Sequence, residues 1–168
     1  MKAEADDVSI RLYRTDDRDD VCRFSCPSHT LDEDPVAPWD EGVHDAIRNA
    51  PIWRDDPDDD TLILVAVDAS GRIVGVIAAG LHEIYGELIV FGLGVVPDRR
   101  RLGIGIDLKM TALAEMSERA GGPIRVYSFV HEDNDPMNQL NEKINATRED
   151  AKPEPEYWLW QAAGEIMD

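Results

Sequence analysis

Residues 88–96 (LIVFGLGVV) carry no charged side chain and run straight into 97–105 (PDRRRLGIG). A strand apolar at every position cannot lie on a half-solvated sheet. It has to sit centrally, with helices covering both faces. The loop after it holds two glycines and opens an apolar-periodic stretch, which predicts a helix starting near Gly103. Such a junction presents unpaired backbone N–H groups and the positive end of the helix dipole, which together make an anion site. Gly103 and Gly105 let the backbone approach an anion without a Cβ in the way. Arg99, Arg100 and Arg101 add positive charge at the same spot, and a diphosphate suits it. The GxxxxGK[ST] loop is absent, and no GxGxxG follows the chain's first strand, so nucleotide sites of those two kinds are excluded.

The elements around this junction predict one α/β domain over the 168 residues. Residues 8–13 (VSIRLY) alternate as a strand. Thr15 serves as an N-cap, with Asp16 and Asp17 in the first turn of a short helix that ends before Pro27. Asp40 caps a second helix bearing Val43, Ile47 and Ala50, stopped by Pro51. The acidic run 55–60 (DDPDDD) reads as a solvated loop and lacks the glycine and glutamate of a calcium loop. Thr61–Val67 and residues 73–81 flank a hairpin turn over 68–72, and a turn near Tyr85-Gly86 leads to the central strand. In the helix after Gly103, Ile106, Met110 and Leu113 form the expected buried face, and Gly121-Gly122-Pro123 ends it. A strand over 124–130, a short helix over 136–144 and a strand over 157–161 complete the order.

Thirty-five acidic residues against seventeen basic ones give a net charge of −18. That field disfavours nucleic acid and anionic membrane as partners. Four of the basic residues are lysine. Abundant Asp with scarce Lys suits a halophilic source, a high-GC genome also favours Arg, and an acidic surface attracts a cationic amine; all three readings stand. No apolar run reaches the ~20 residues of a membrane span, and MKAEADDVSI is not built like a signal peptide, so a cytoplasmic protein is expected. Cys22, Cys26 and His29 lack a second ligand cluster, so no metal is expected.

The segment Arg100-Arg101-Leu102-Gly103-Ile104-Gly105, preceded by Val95-Val96-Pro97, resembles motif A, [RQ]-x-x-G-x-[GA], of the GCN5-related N-acetyltransferase (GNAT) family. The element order from Val8 to Gln161 is similar as well. The resemblance implies a single domain over residues 1–168, with a mixed, mostly antiparallel twisted sheet of six to seven strands flanked by about four helices. It implies acetyl-CoA as co-substrate, with residues 95–105 holding its pyrophosphate and residues 28–60 forming the acceptor side. Asn134-x-x-Met137-x-x-x-Asn141 resembles a second family pattern. It implies that Asn134 meets the pantetheine arm or shapes the splay of the fourth and fifth strands, and that Asn141 lies beside the cofactor. The plain alternative for Asn134 is a helix cap. Three departures stand out: Asn145-Ala146 replaces the usual Gly-Phe pair, Val130 stands where relatives often carry an asparagine, and the helix lacks a tyrosine to protonate the leaving thiolate.

The family reaction is direct attack by an amine on the thioester, so the acceptor is expected to be a small-molecule or peptide amine. Backbone N–H groups around Leu93 and Val95 would polarise the carbonyl, helped by a bulge at Gly92–Gly94. Glu87 heads the same strand, is expected to share a face with Ile89, Phe91, Leu93 and Val95, and is the first candidate base. His131 is a second, because histidine titrates near neutrality. Tyr127 is the candidate acid. His82, Glu83, Trp39 and Trp53 are candidates for the acceptor pocket. The competing readings are a non-catalytic acyl-CoA-binding module and an acetyltransferase of aminoacyl-tRNA, the latter disfavoured by the net charge. A homodimer is compatible with the resemblance.

Overall fold

The computed structural model describes residues 7–23, 61–82, 87–149 and 157–164. The expected helix over 40–50, the acidic run 55–60, Cys26, His29, Trp39, Trp53, Glu83 and the turn at 85–86 lie outside them.

The described strands are β1 (Ser9–Leu12), β2 (Thr61–Val67), β3 (Ile73–His82), β4 (Glu87–Val95), β5 (Ile124–His131), β6 (Thr147–Arg148) and β7 (Tyr157–Gly164). The helices are α1 (Arg18–Arg23), α2 (Ile104–Ala120) and α3 (Asp135–Lys143). The described strands form one sheet ordered β1-β2-β3-β4-β5-β7-β6. The apolar run at 88–96 thus occupies the middle strand, as its composition requires. Every neighbouring pair is antiparallel except β4–β5. The two-residue β6 was not legible in sequence, and β7 extends past the expected end to Gly164.

β2 and β3 are apolar on both faces, and Val65, Val74, Val76 and Ile77 lose all solvent contact. α2 lies across this part of the sheet at Gly75, where a Cβ would meet Leu108 Cδ1 at 2.8 Å and Ile104 Cγ2 at 3.2 Å. The buried residues of α2 are Ile104, Leu108, Lys109, Ala112, Leu113, Met116 and Ser117. The expected face was therefore partly out of phase: Leu113 is buried, Ile106 is half-buried and Met110 is 41% exposed. Met110 follows Lys109 by one position, and the sheet contact rotates the lysine, not the methionine, inward.

At the other end of the chain, the expected cap at Thr15 becomes a 3-10 turn over Thr15–Asp17. Asp17 accepts two hydrogen bonds from the Arg11 guanidinium, at 2.7 and 2.8 Å, and one from the backbone N–H of Arg14. The Arg11 bond, ahead of the others, holds its carboxyl below the usual range. This pair ties the edge strand β1 to the start of α1.

α3 ends in a way that accounts for the unusual Asn145-Ala146. Asn145 has a φ of 59°. Its N–H donates to Glu142 O and that of Ala146 donates to Asn141 O. This is a Schellman end, which needs a left-handed residue after the cap. Asparagine is the best non-glycine residue for it, so the missing glycine leaves the backbone path intact.

Gly164 tests the packing of α2 on β7. A Cβ there would meet the Leu113 carbonyl oxygen and Ile124 Cγ1, each at 2.7 Å, whereas at Gly122 it would meet nothing within 4 Å. Gly164→Ala is expected to lower the urea unfolding free energy by about 1–3 kcal/mol, and Gly122→Ala to change it by less than about 0.5 kcal/mol.

Candidate active site

β4 and β5 pair only at Leu88↔Val126 and Ile89↔Tyr127. Beyond that point β4 continues to Val95 and β5 to His131 without a ladder between them. On its other edge β4 stays paired with β3, but the register shifts: Ala78 faces Gly92 and Ala79 faces Val90. Phe91 is the extra residue, so the bulge lies one position before the expected glycines.

This bulge inverts the alternation of side chains along β4. Leu88, Val90, Leu93 and Val95 oppose Leu81, Ala79, Ile77 and Gly75, on the face that receives α2. Glu87 and Ile89 share the opposite face with Gly92 and Gly94. Glu87 therefore does not share a face with Leu93 and Val95, which corrects the sequence expectation. The simple period of two fails wherever one residue is inserted into a ladder.

Backbone directions are preserved across the same stretch. The N–H of Val96 donates to Val74 O across the β3 side. Successive residues alternate direction, so the N–H groups of Leu93 and Val95 point away from β3, into the gap left by β5. The Val95 carbonyl points the same way, where it accepts from Arg100 Nε at 3.0 Å.

The gap opens into a groove of about 1130 Å³ lined by β4, the 97–103 loop, the first turn of α2, the loop after β5 and α3. It brings together Leu93, Val95, Arg100, Arg101, Gly103, Ile104, Gly105 and Asn134, eight of the ten residues singled out for the cofactor. Gly103 is the N-cap of α2 with a φ of 85°, and no side chain caps this end. The N–H groups of Ile104, Gly105 and Ile106 therefore have no partner within the helix. A Cβ on Gly105 would press on Leu140 Cδ1 at 3.2 Å, so this glycine lets α3 close against α2.

The three arginines are not equivalent. Arg99 is used to fasten the loop, donating to Asp68 Oδ2 at 3.2 Å. Asp68 is held in its charged form first by the Ser70 hydroxyl, then by backbone N–H groups and Arg99. Arg72 pairs with Asp98 through two bonds of 3.0 and 3.1 Å, fastening the loop to the β2–β3 turn a second time. Arg100 is braced on Val95, and Arg101 is exposed at a φ of 64°. Lys143 brings a cation from the α3 side, while Asp133 and Asp135 line the groove as well.

Two proposed cofactor residues lie elsewhere. Leu102 is half-buried against the core and does not line the groove. Asn141 has no exposed surface and accepts from Lys109 Nζ instead. Asn134 caps α3, its Oδ1 accepting from Met137 N at 3.3 Å, while also lining the groove.

The catalytic candidates are spread out. Glu87 is exposed at the start of β4. Tyr127 is a half-buried neighbour on the same sheet face, opposite Ile89. His131 lies at the far end of β5, its Nδ1 accepting from Asp133 N at 3.2 Å. Glu87 is level with Arg125, so about 20 Å of strand separates it from His131. One reaction centre cannot use both as direct bases. His82 ends β3 opposite Glu87.

The buried Lys109 was missed altogether. It is 1% exposed and donates to Ser128 Oγ at 2.9 Å and to Asn141 Oδ1. Its spacing of three, four and seven from Ala112, Leu113 and Met116 was the available signal. A lysine on an apolar stripe is ordinarily assigned to the surface, and that prior hid it. Burial pushes its amine from the ordinary 10.5 down to about 8.

The Acetyltransferase (GNAT) family model matches residues 24–146, well over half of the chain. The chain belongs to the GNAT acetyltransferase family. No curated protein matches it in sequence. The PaiA N-acetyltransferase of Thermoplasma acidophilum, solved with coenzyme A, has a TM-score of 0.68 at 18% identity, over 92% of this chain and 98% of that one. The ribosomal-protein-S18-alanine N-acetyltransferase of Escherichia coli has a TM-score of 0.63 at 16% identity, over 96% and 95%. The spermidine N-acetyltransferase of Vibrio cholerae, solved with CoA and spermine, has a TM-score of 0.63 at 12% identity, over 94% and 95%. At these identities the GNAT fold is what is shared.

Lys109 carries a signed pH prediction. Its folded-state pKa lies below the unfolded one, so between about pH 8 and 10.5 the unfolded chain holds a proton that the folded chain lacks. Stability should therefore rise with pH across that window, by up to about 3 kcal/mol. Urea melts of the wild type and Lys109→Met at several pH values check this: the rise should be missing from the variant.

Proposed function

We propose that this GNAT protein transfers the acetyl group of acetyl-CoA to a primary amine of a small molecule or peptide. One observation carries the reading. The gap between β4 and β5 leads from the inward N–H groups of Leu93 and Val95 to the uncapped N-terminus of α2. A long cosubstrate with a diphosphate at one end and a carbonyl at the other needs those two features in line.

The lining fits such a molecule. The N–H groups of Ile104, Gly105 and Ile106, with Arg100 and Arg101, would hold the pyrophosphate. Open space lies where a Gly103 side chain would be, since a Cβ there meets nothing within 4 Å. Acetyl-CoA supplies the acyl group as a thioester, which an amine can attack directly. The Leu93 and Val95 N–H groups would stabilise charge developing on the carbonyl oxygen. In the balanced reaction the amine nitrogen bonds to the carbonyl carbon and the carbon–sulfur bond breaks. One proton leaves the nitrogen and one reaches the sulfur.

Glu87, six residues before Leu93, is our candidate to receive the first proton through a chain of waters along β4. Tyr127, on the same face and level with Ile89, is the candidate to supply the second by the same route. The net charge of −18 favours a cationic acceptor, whose approach the protein's field would accelerate. A non-catalytic acyl-CoA-binding module is the second reading. The distance between Glu87 and His131 and the lack of a helix tyrosine favour it.

Acetyl-CoA should raise the thermal midpoint of the wild type, and the combined Arg100→Ala, Gly103→Val variant should lose that rise. Gly103→Val places a β-branched residue at a φ of 85°, so a circular dichroism check of folding accompanies the measurement. A wild type that gains no stability from acetyl-CoA in low or molar salt refutes the reading. Thiol release with a panel of amines separates enzyme from module. In the enzyme, Glu87→Gln should lower kcat by about 10²-fold or more.

A further inference from the structure

We propose that Lys109 is a positioning residue for the groove: its buried amine ties α2, β5 and α3 together, and acetyl-CoA affinity depends on the charge it carries. The inference rests on the acyl-CoA reading of the groove and adds to it a dependence on protonation.

The geometry places this amine just behind the groove wall. Lys109 lies one helical turn beyond Gly105, about 6 Å along the axis of α2. Asn141 directly follows Leu140, the residue whose Cδ1 faces Gly105. Two adjacent contacts therefore set the spacing between the helical walls: Leu140 on Gly105, and Asn141 on Lys109. The third partner, Ser128, stands on β5 one residue beyond Tyr127, where β5 has just left β4. A single side chain thus joins α2 and α3, which wall the groove, to β5, which bounds the gap with β4.

Among the described residues the bridge holds a charge without a counter-charge. β2, β3 and β7 carry no carboxylate. On β1, Arg11 is committed to Asp17. Glu87 lies on the opposite face of β4, and Arg125, Tyr127 and His131 on the opposite face of β5. Asp135, Glu142 and Lys143 are exposed on α3, and Asp107 is exposed on α2. Among the described residues no ion pair joins Lys109 to a carboxylate, and burial by itself accounts for its weakened hold on its proton.

The amide of Asn141 adds a second observation. Its Oδ1 accepts a hydrogen bond from Lys109 Nζ, while its buried Nδ2 has no acceptor among the described residues. An ammonium can only donate. Once deprotonated, the amine offers a lone pair to that orphaned Nδ2, and the amide can turn over to use it. The bond to Asn141 then changes from a charge-assisted one to a neutral one, roughly half as strong. At the same time the groove loses an uncompensated cation behind its wall. Both changes disfavour a bound polyanion. By linkage, a bound polyanion must in turn strengthen the amine's hold on its proton.

Isothermal titration with acetyl-CoA from pH 7 to 9.5 tests this. The phosphates of the ligand do not change charge above pH 7.5, and it has no free thiol. The wild type should lose affinity by at least about fivefold across the range. Lys109→Met should bind more weakly at pH 7 and lose this pH dependence. Asn141→Asp gives the amine a carboxylate partner, and should move the fall in affinity upward by more than about one pH unit. It serves as the second variant if Lys109→Met does not fold. Parallel pH profiles in the wild type and either variant overturn this inference and leave the acyl-CoA reading standing. Failure of the wild type to bind acetyl-CoA at any pH overturns both.

Discussion

A strand in the middle of a sheet ordinarily pairs with a strand on both edges, and β4 leaves its ladder with β5 after Ile89. Beyond Ile89 its backbone meets β3 on one side and the groove on the other. Where the ladder stops, the backbone of β4 faces a groove and not a neighbouring strand, and the proposed function places the cosubstrate there. The remaining features depend on that separation. The bulge at Phe91 sets which side chains face it, the loop 97–103 closes its end, and α2 and α3 form its far wall. In the proposed function this opening receives the cosubstrate, and the rest of the sheet keeps it in register.

Charge in this protein is arranged in the opposite sense to its net value. The chain is strongly acidic, yet the groove draws Arg99, Arg100, Arg101 and Lys143 to one cleft. Two of the surrounding ion pairs, Arg99–Asp68 and Arg72–Asp98, are mainly anchors that fasten the loop to the β2–β3 turn. The exposed Arg72–Asp98 pair contributes little stability alone, but the two together restrict where the loop can move. The buried Lys109 differs from all of these, because its neighbours are neutral hydrogen-bond partners.

Much of the architecture was legible in the chain. The apolar run at 88–96 required a central strand, and the turn over 68–72 required a hairpin before it. The Gly103 junction could be read as a helix start, because a glycine that ends a strand-to-helix loop and the apolar period after it are local properties. Asn134 was legible as a cap for the same reason. The failures share a different cause. The face of Glu87 was misread because an inserted residue changes alternation without leaving a mark in composition. The inward face of α2 was misread because Ile106 and Met110 satisfy the same periodicity as the residues that are actually buried. Asn141 fits a motif by spacing, but its environment is set by Lys109, thirty-two positions away.

The amino-acid sequence by itself determined the order of the longer described strands and helices, the position of the central strand, and the glycine-bearing helix start that follows it. These follow from short-range constraints: side-chain periodicity, the permissive backbone of glycine, and the unpaired N–H groups of a helix start. Only the tertiary structure decided where β4 and β5 part, which face of β4 each residue joins, and that a lysine lies behind the groove wall. Those outcomes depend on hydrogen-bond partners distant in sequence. A ladder shift of one residue, or a rotation of one helix position, moves a side chain from groove to core at no cost visible in its local sequence.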